Sequence, residues 1–162
     1  MPRPAMRPRR KRPIKPIWNW RRRPRRRRPC GKRWTSCKLA SNLSTVHVFT
    51  CSGRFASWEA LQAYLAPAYT EDGDAVPSPF FLETGLTQYE PACFESALLA
   101  APAPLAELLD GVSYAGSWLA QACADAQGVL ADTAVCVFAP NQLAHPHRSS
   151  LHHVGSYACD GG

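Results

Sequence analysis

Apolar positions begin to recur in readable periods only after residue 45 of this 162-residue chain. Val46-His47-Val48-Phe49-Thr50-Cys51 is β-branched and aromatic, the composition of a strand, and Ser52-Gly53 turns the chain after it. The period then changes, with Trp58, Leu61, Tyr64 and Leu65 at helical spacing. Ser57 stands where an N-cap belongs, Glu59 lies in a first turn that favours a carboxylate, and Pro67 stops the helix. Residues 67–79 carry three prolines, Gly73 and the acids Glu71, Asp72 and Asp74, which predicts an acidic loop.

Phe80 to Leu86 fits either a short strand or an irregular buried segment. After Tyr89-Glu90-Pro91, residues Ala92 to Leu99 read as a short helix. Pro104 opens another through Leu109, closed by Asp110-Gly111. A longer helix from Tyr114 to Gln127 takes Ser113 as its cap and Gly128 as its C′ residue. Its core stripe is Ala115, Trp118, Leu119, Ala122, Cys123 and Ala126. Thr133 to Ala139 and Leu151 to Tyr157 are two further strands around a polar loop at 140–150. Joined by a loop, they are expected to be antiparallel neighbours. The class this order predicts is α+β: a small, mainly antiparallel sheet of three or four strands, covered by helices on one face. Trp58 and Trp118 lie on helix stripes and are expected in the core, whereas Tyr89 is expected at the surface.

Charge divides the chain more sharply than hydropathy. The formal net charge of +7 comes from 19 Lys+Arg and 12 Asp+Glu, yet residues 1–42 hold 17 of the bases and none of the acids. The remainder has Arg54 and Arg148 against all 12 acids, a net −10. Three segments follow: a basic arm at 1–42, a single domain at 43–159 and a short tail at 160–162. In the arm, Arg21, Arg22, Arg23, Arg25, Arg26, Arg27 and Arg28 crowd like charges around Pro24, a composition expected to stay disordered. It has the electrostatics of a nucleic-acid tail, with Trp18, Trp20 and Trp34 available to stack on bases. Tethered to an acidic body, it would also be held near that body at high effective concentration. A third reading takes the arm as sequence upstream of the native start.

The acids Glu71, Asp72, Asp74, Glu83, Glu90, Glu95, Glu107 and Asp110 read in two ways. They form an ordinary solubilising surface, or a polyanion-like face that steers a basic partner. No apolar run reaches the ~18–20 residues that cross a bilayer, and Ile14 to Ile17 is too short for a secretory signal core, so no membrane and a cytoplasmic location are expected. Seven cysteines without a CxxC suit reduced thiols better than a disulfide framework, and the Cys30/Cys37 spacing is wrong for zinc. His145, His147, His152 and His153 suggest a metal at first sight. Adjacent strand residues face opposite ways, however, so only one of His152 and His153 can join the loop pair; a polar loop titrating near neutrality is the expected reading. Cys51 and His47 lie about 13 Å apart along a flat strand. No nucleophile elbow, zincin or phosphate-loop motif occurs. Neither an enzyme nor a cofactor is expected.

One ordered set of segments adds a family to this reading. They are Val46-His47-Val48-Phe49, then Phe55-Ala56-Ser57-Trp58-Glu59-Ala60-Leu61-Gln62-Ala63-Tyr64-Leu65, Tyr89-Glu90, Ser113-Tyr114 with Trp118, and Val154-Gly155-Ser156-Tyr157. Together they resemble the immunity protein 22 family of bacterial polymorphic toxin systems, over residues 46–158. The resemblance implies a protein without chemistry of its own that binds and neutralises a cognate toxin by stoichiometric association, through its acidic surface. Glu71, Asp72, Asp74, Glu83, Tyr89 and Glu90 are the contacts it suggests, with no metal, no cofactor and an open oligomeric state. The alternative is a nucleic-acid-binding protein that acts through the seven arginines of the arm.

Overall fold

The computed structural model describes residues 44–160. The β-branched segment is β1 (Ser44–Cys51), and α1 (Trp58–Leu65) follows, with the Ser57 hydroxyl accepting from the Ala60 N–H at 3.3 Å. A small hairpin of β2 (Ala68–Tyr69) and β3 (Ala75–Val76) leads into α2 (Pro79–Thr84). The edge strand β4 (Phe94–Pro104) runs straight into the single turn α3 (Leu105–Leu108). Then come α4 (Ala115–Asp125), β5 (Leu130–Phe138) and β6 (His152–Cys159). The main sheet has four strands in the order β4-β5-β1-β6, antiparallel at every pairing. The expected α+β class is what the described residues build.

Alternation along β1 and β5 sorts their side chains onto two faces. Val46 and Val48 join Ala134, Cys136 and Phe138 in a core closed by Trp118 and Ala122 of α4 and Leu105 and Leu108 of α3. Phe49 joins Val135 and Val137 on the other face, under Leu61, Tyr64 and Leu65 of α1 and Phe80 of α2. The helices thus divide between both faces instead of sharing one. Two central strands that are apolar on both sides require cover on both sides.

Three further expectations are corrected. β5 and β6 are not neighbours, because β1 lies between them and pairs with each. The long 139–151 connection crosses that gap. Residues 94–104 form an edge strand, not a helix: Phe94 and Leu98 face the α1/α2 core, and Cys93 and Ala97 the α4 core. A spacing of four satisfies both a helical period and a strand period, and the open edge of β5 decided between them. At α4 the N-cap position is Tyr114 in a left-handed conformation, with no side-chain cap, so Ser113 is not the cap.

Phe80 to Leu86 is mostly helical. The Ser78 hydroxyl caps α2 by accepting from the Phe81 N–H, Pro79 opens it, and Gly85 closes it at φ 66°. Gly155 in β6 has a packing reason, since the Tyr157 ring lies back across it and occupies the space a Cβ would need. That ring also stacks on Trp118, and its hydroxyl donates to Asp125 at 3.0 Å. Of the two stripe tryptophans, Trp118 is buried as expected, but Trp58 at the first position of α1 is 43% exposed. Among the described residues no helix is long and apolar enough to cross a membrane.

The orientation of α2 makes a sharp contrast testable by urea denaturation. Phe80 is fully buried, and Phe80→Ala is expected to lower the unfolding free energy by about 3–5 kcal/mol. Leu82 is 72% exposed, and Leu82→Ala is expected to change it by less than about 0.5 kcal/mol. Equal costs would mean that the helix presents another face.

Candidate functional site

The acidic loop of the sequence is the tip of the β2–β3 hairpin. Thr70 and Asp74 close it through a backbone bond of 2.9 Å, and the Thr70 hydroxyl accepts from the Asp74 N–H at 3.0 Å. Glu71, Asp72 and Asp74 are all exposed there. Tyr69 at the hairpin base is 68% exposed. Tyr89 is only half-buried, its ring 5.0 Å from Phe81 and 5.3 Å from Phe94. Burial, with Tyr69 and Glu90 nearby, pushes the Tyr89 phenol above its ordinary range. Tyr69, Tyr89 and Glu90 therefore belong to one neighbourhood.

The turn that carries Glu90 is held from behind by a residue the sequence did not single out. Asn141 is buried, and its side-chain oxygen accepts from the Glu90 N–H at 2.8 Å. Its amide nitrogen donates to the carbonyls of Glu90, Cys93 and Phe138 at 3.2, 3.4 and 3.1 Å. The Glu90 carboxylate accepts from the Ala92 N–H and so opens the 3₁₀ turn Pro91–Cys93. Only an asparagine in a polar loop was visible in the sequence, and nothing local marks it as a clamp.

Glu83 differs from the hairpin acids because its carboxylate is engaged within the fold. It accepts from the Tyr64 hydroxyl at 2.6 Å, the Ser150 N–H at 2.7 Å and the Ser150 hydroxyl at 2.8 Å. Burial opposes its charge, but these bonds and the nearby Arg54 outweigh that and hold the carboxyl below the usual carboxylate range. Arg54 itself lies over the Tyr64 ring at 4.7 Å and donates to the Ser150 carbonyl at 3.0 Å. This knot ties α1, α2 and the 149–150 segment together. The other sequence-selected acids, Glu71, Asp72, Asp74 and Glu90, face outward. Glu95 meets the Ser113 N–H at 3.1 Å, away from the hairpin in sequence and fold. The arginines Arg21 to Arg23 and Arg25 to Arg28 lie outside the described residues.

Of the histidines, His153 rather than His152 turns toward His147, with ring centres 6.4 Å apart. His47 of β1 joins them, 6.0 Å from His153. The Ser156 hydroxyl lies 2.7 Å from His47 Nδ1 and 3.3 Å from His153 Nε2. Among the described residues no group of three or more His, Cys, Asp or Glu is placed to hold a metal ion. Desolvation, then the neighbouring His153, lowers His47 to about 4, and desolvation also lowers His153. The described cysteines Cys51, Cys93, Cys123, Cys136 and Cys159 are free thiols, and burial pushes each one up, away from thiolate reactivity.

With this geometry in hand, a family model described as immunity protein 22 matches residues 48–153. The chain belongs to the immunity protein 22 family. No curated protein and no solved structure matches it. Within the matched span, the segments that carried the resemblance serve mainly to build the domain. Ser57 caps α1, Leu61 and Tyr64 are buried, and Phe55 packs 5.4 Å from the Tyr64 ring.

Two outcomes follow from the clamp and the histidines. Asn141→Ala leaves buried carbonyls and an N–H without partners, so unfolding free energy is expected to drop by about 1–3 kcal/mol in urea. The His47 shift is downward, so the unfolded chain takes up its proton first as pH falls. Its contribution is complete above pH 6.5 and is lost between there and about 4. With solvent screening, about 1–2 kcal/mol is expected over that window, and His47→Gln should flatten it. Glu83 acts lower, below its ordinary value of 4.5, since its carboxylate must first be protonated. Thermal midpoints from about pH 2 to 7 separate the two.

Proposed function

We propose that this protein is an immunity protein that neutralises a cognate bacterial toxin in the cytoplasm by one-to-one association, without catalysis or cofactor. Membership of the immunity protein 22 family over residues 48–153 is the observation that carries this reading. The contact surface proposed is the hairpin tip with Glu71, Asp72 and Asp74, continuing through Tyr69 to Tyr89 and Glu90. Exposed aromatic side chains beside uncompensated carboxylates are what a basic partner needs: rigid anchoring area and a steering field. Glu83 enters as a positioning residue, because its carboxylate is engaged by Tyr64 and Ser150.

The partner to test is the product of the toxin gene adjacent to the gene for this chain. Glu71→Lys, Asp72→Lys and Asp74→Lys, combined, are expected to slow association on the order of tenfold or more at low salt. The salt dependence should shrink in parallel, and co-expression should no longer protect cells. Unchanged association rate and unchanged salt dependence would remove the hairpin from the interface.

A further inference from the structure

At the end of the sheet beyond Glu90 a cleft of about 180 Å³ opens between the 3₁₀ turn Pro91–Cys93 and the start of α4. Its lining includes the apolar Ala92, Cys93 and Phe138 together with Glu95 and Tyr114. The volume is below the roughly 300 Å³ at which small-molecule sites begin, so the cleft suits a single side chain rather than a cofactor.

Tyr114 is the unusual feature. Its backbone is left-handed, φ 56° and ψ 20°, a conformation glycine holds without strain and a bulky aromatic residue does not. Surrounding bonds impose it. The Ser113 N–H donates to Glu95, the Trp118 indole N–H donates to the Ser113 carbonyl at 3.3 Å, and the Ser117 hydroxyl donates to the Tyr114 carbonyl at 2.9 Å. None of these uses the phenol, whose hydroxyl has no hydrogen bond among the described residues. The ring leans edge-on toward Phe138 at 6.1 Å, yet the residue is 53% exposed. An aromatic side chain with half its residue surface exposed thus stands on a backbone that the surrounding bonds hold.

We propose that this cleft receives one lysine or arginine side chain of the bound toxin, with Tyr114 as its anchor and Glu95 as its counter-charge. The proposal rests on the toxin-binding reading above and extends its surface. Charge complementarity selects the occupant: residues 43–159 carry a net −9, with Arg54 and Arg148 against 11 acids, and Glu95 itself lines the cleft. The apolar part of the lining fits the aliphatic stem of a long basic side chain, while the Tyr114 face suits its cationic head. Glu95 Oε2 is taken by the Ser113 N–H, and Oε1 has no hydrogen bond among the described residues. A tyrosine already held in place loses little entropy on binding, as contact hot spots require.

The test uses the full chain and the same toxin, with dissociation followed by surface plasmon resonance. Tyr114→Gly removes the ring and relieves the backbone, so its thermal midpoint should stay level or rise while affinity falls on the order of tenfold to a hundredfold. Tyr114→Phe keeps the ring and should stay within about threefold. Each Lys and Arg of the toxin is then replaced by Ala, alone and against Tyr114→Gly. One of them should be coupled to Tyr114 by more than about fivefold. Full affinity in Tyr114→Gly, or additivity with every basic residue of the toxin, would overturn the site. If the unaltered protein fails to bind the toxin at all, the underlying function fails instead.

Discussion

The pairing of β1 with both β5 and β6 governs the rest of this domain. Because β1 is interior, Val46 and Val48 must be covered on one face and Phe49 on the other, and the chain supplies a pair of helices for each. α3 and α4 cover the first face, and α1 and α2 the second. Each helical pair carries an exposed feature outward: the acidic hairpin between α1 and α2, and Tyr114 at the start of α4. Burial of the central strands thus places two exposed features that are 40 or more residues apart in the chain.

Polar clamps then set these elements at fixed angles. Tyr64, Glu83, Ser150 and Arg54 join α1, α2 and the crossover segment through charge-assisted bonds of 2.6–3.0 Å. Asn141 does the same for the turn bearing Glu90. Arg54, one of only two Lys or Arg residues in 43–162, is engaged by this arrangement over the Tyr64 ring and on the Ser150 carbonyl. The outward acids are left largely without internal counter-charges, which suits a surface meant for a basic partner. Fold and proposed interface therefore compete for few of the same groups.

Much of the architecture was legible from local signals. β1, α1 with its Ser57 cap, β5 and β6 follow from β-branched runs and clear helical spacing. The α2 signals, Ser78-Pro79 and Gly85, were present in the sequence as cap, first-turn proline and C′ glycine, but the apolar run from Phe80 fits a short strand or an irregular buried segment as well. Phe94 and Leu98 left β4 ambiguous because four residues close both periods. Trp58 was misplaced because the first position of a short helix can point past the core edge.

By itself, the sequence determined the split between a +17 arm and a −10 body, the class of the body and the family pattern within it. These depend on composition and on spacings within about ten residues. Only the tertiary structure decided that β1 separates β5 from β6, that Glu83 is an internal acceptor rather than a free acid, and that Asn141 backs the Glu90 turn. Those rest on contacts between residues 51 and 67 positions apart at Glu90 and Glu83, and 82 to 115 apart along β1, and no local period encodes them. The strained backbone of Tyr114 belongs with them, since it is imposed by Glu95 and Trp118 and has no mark in the letters Ser113-Tyr114.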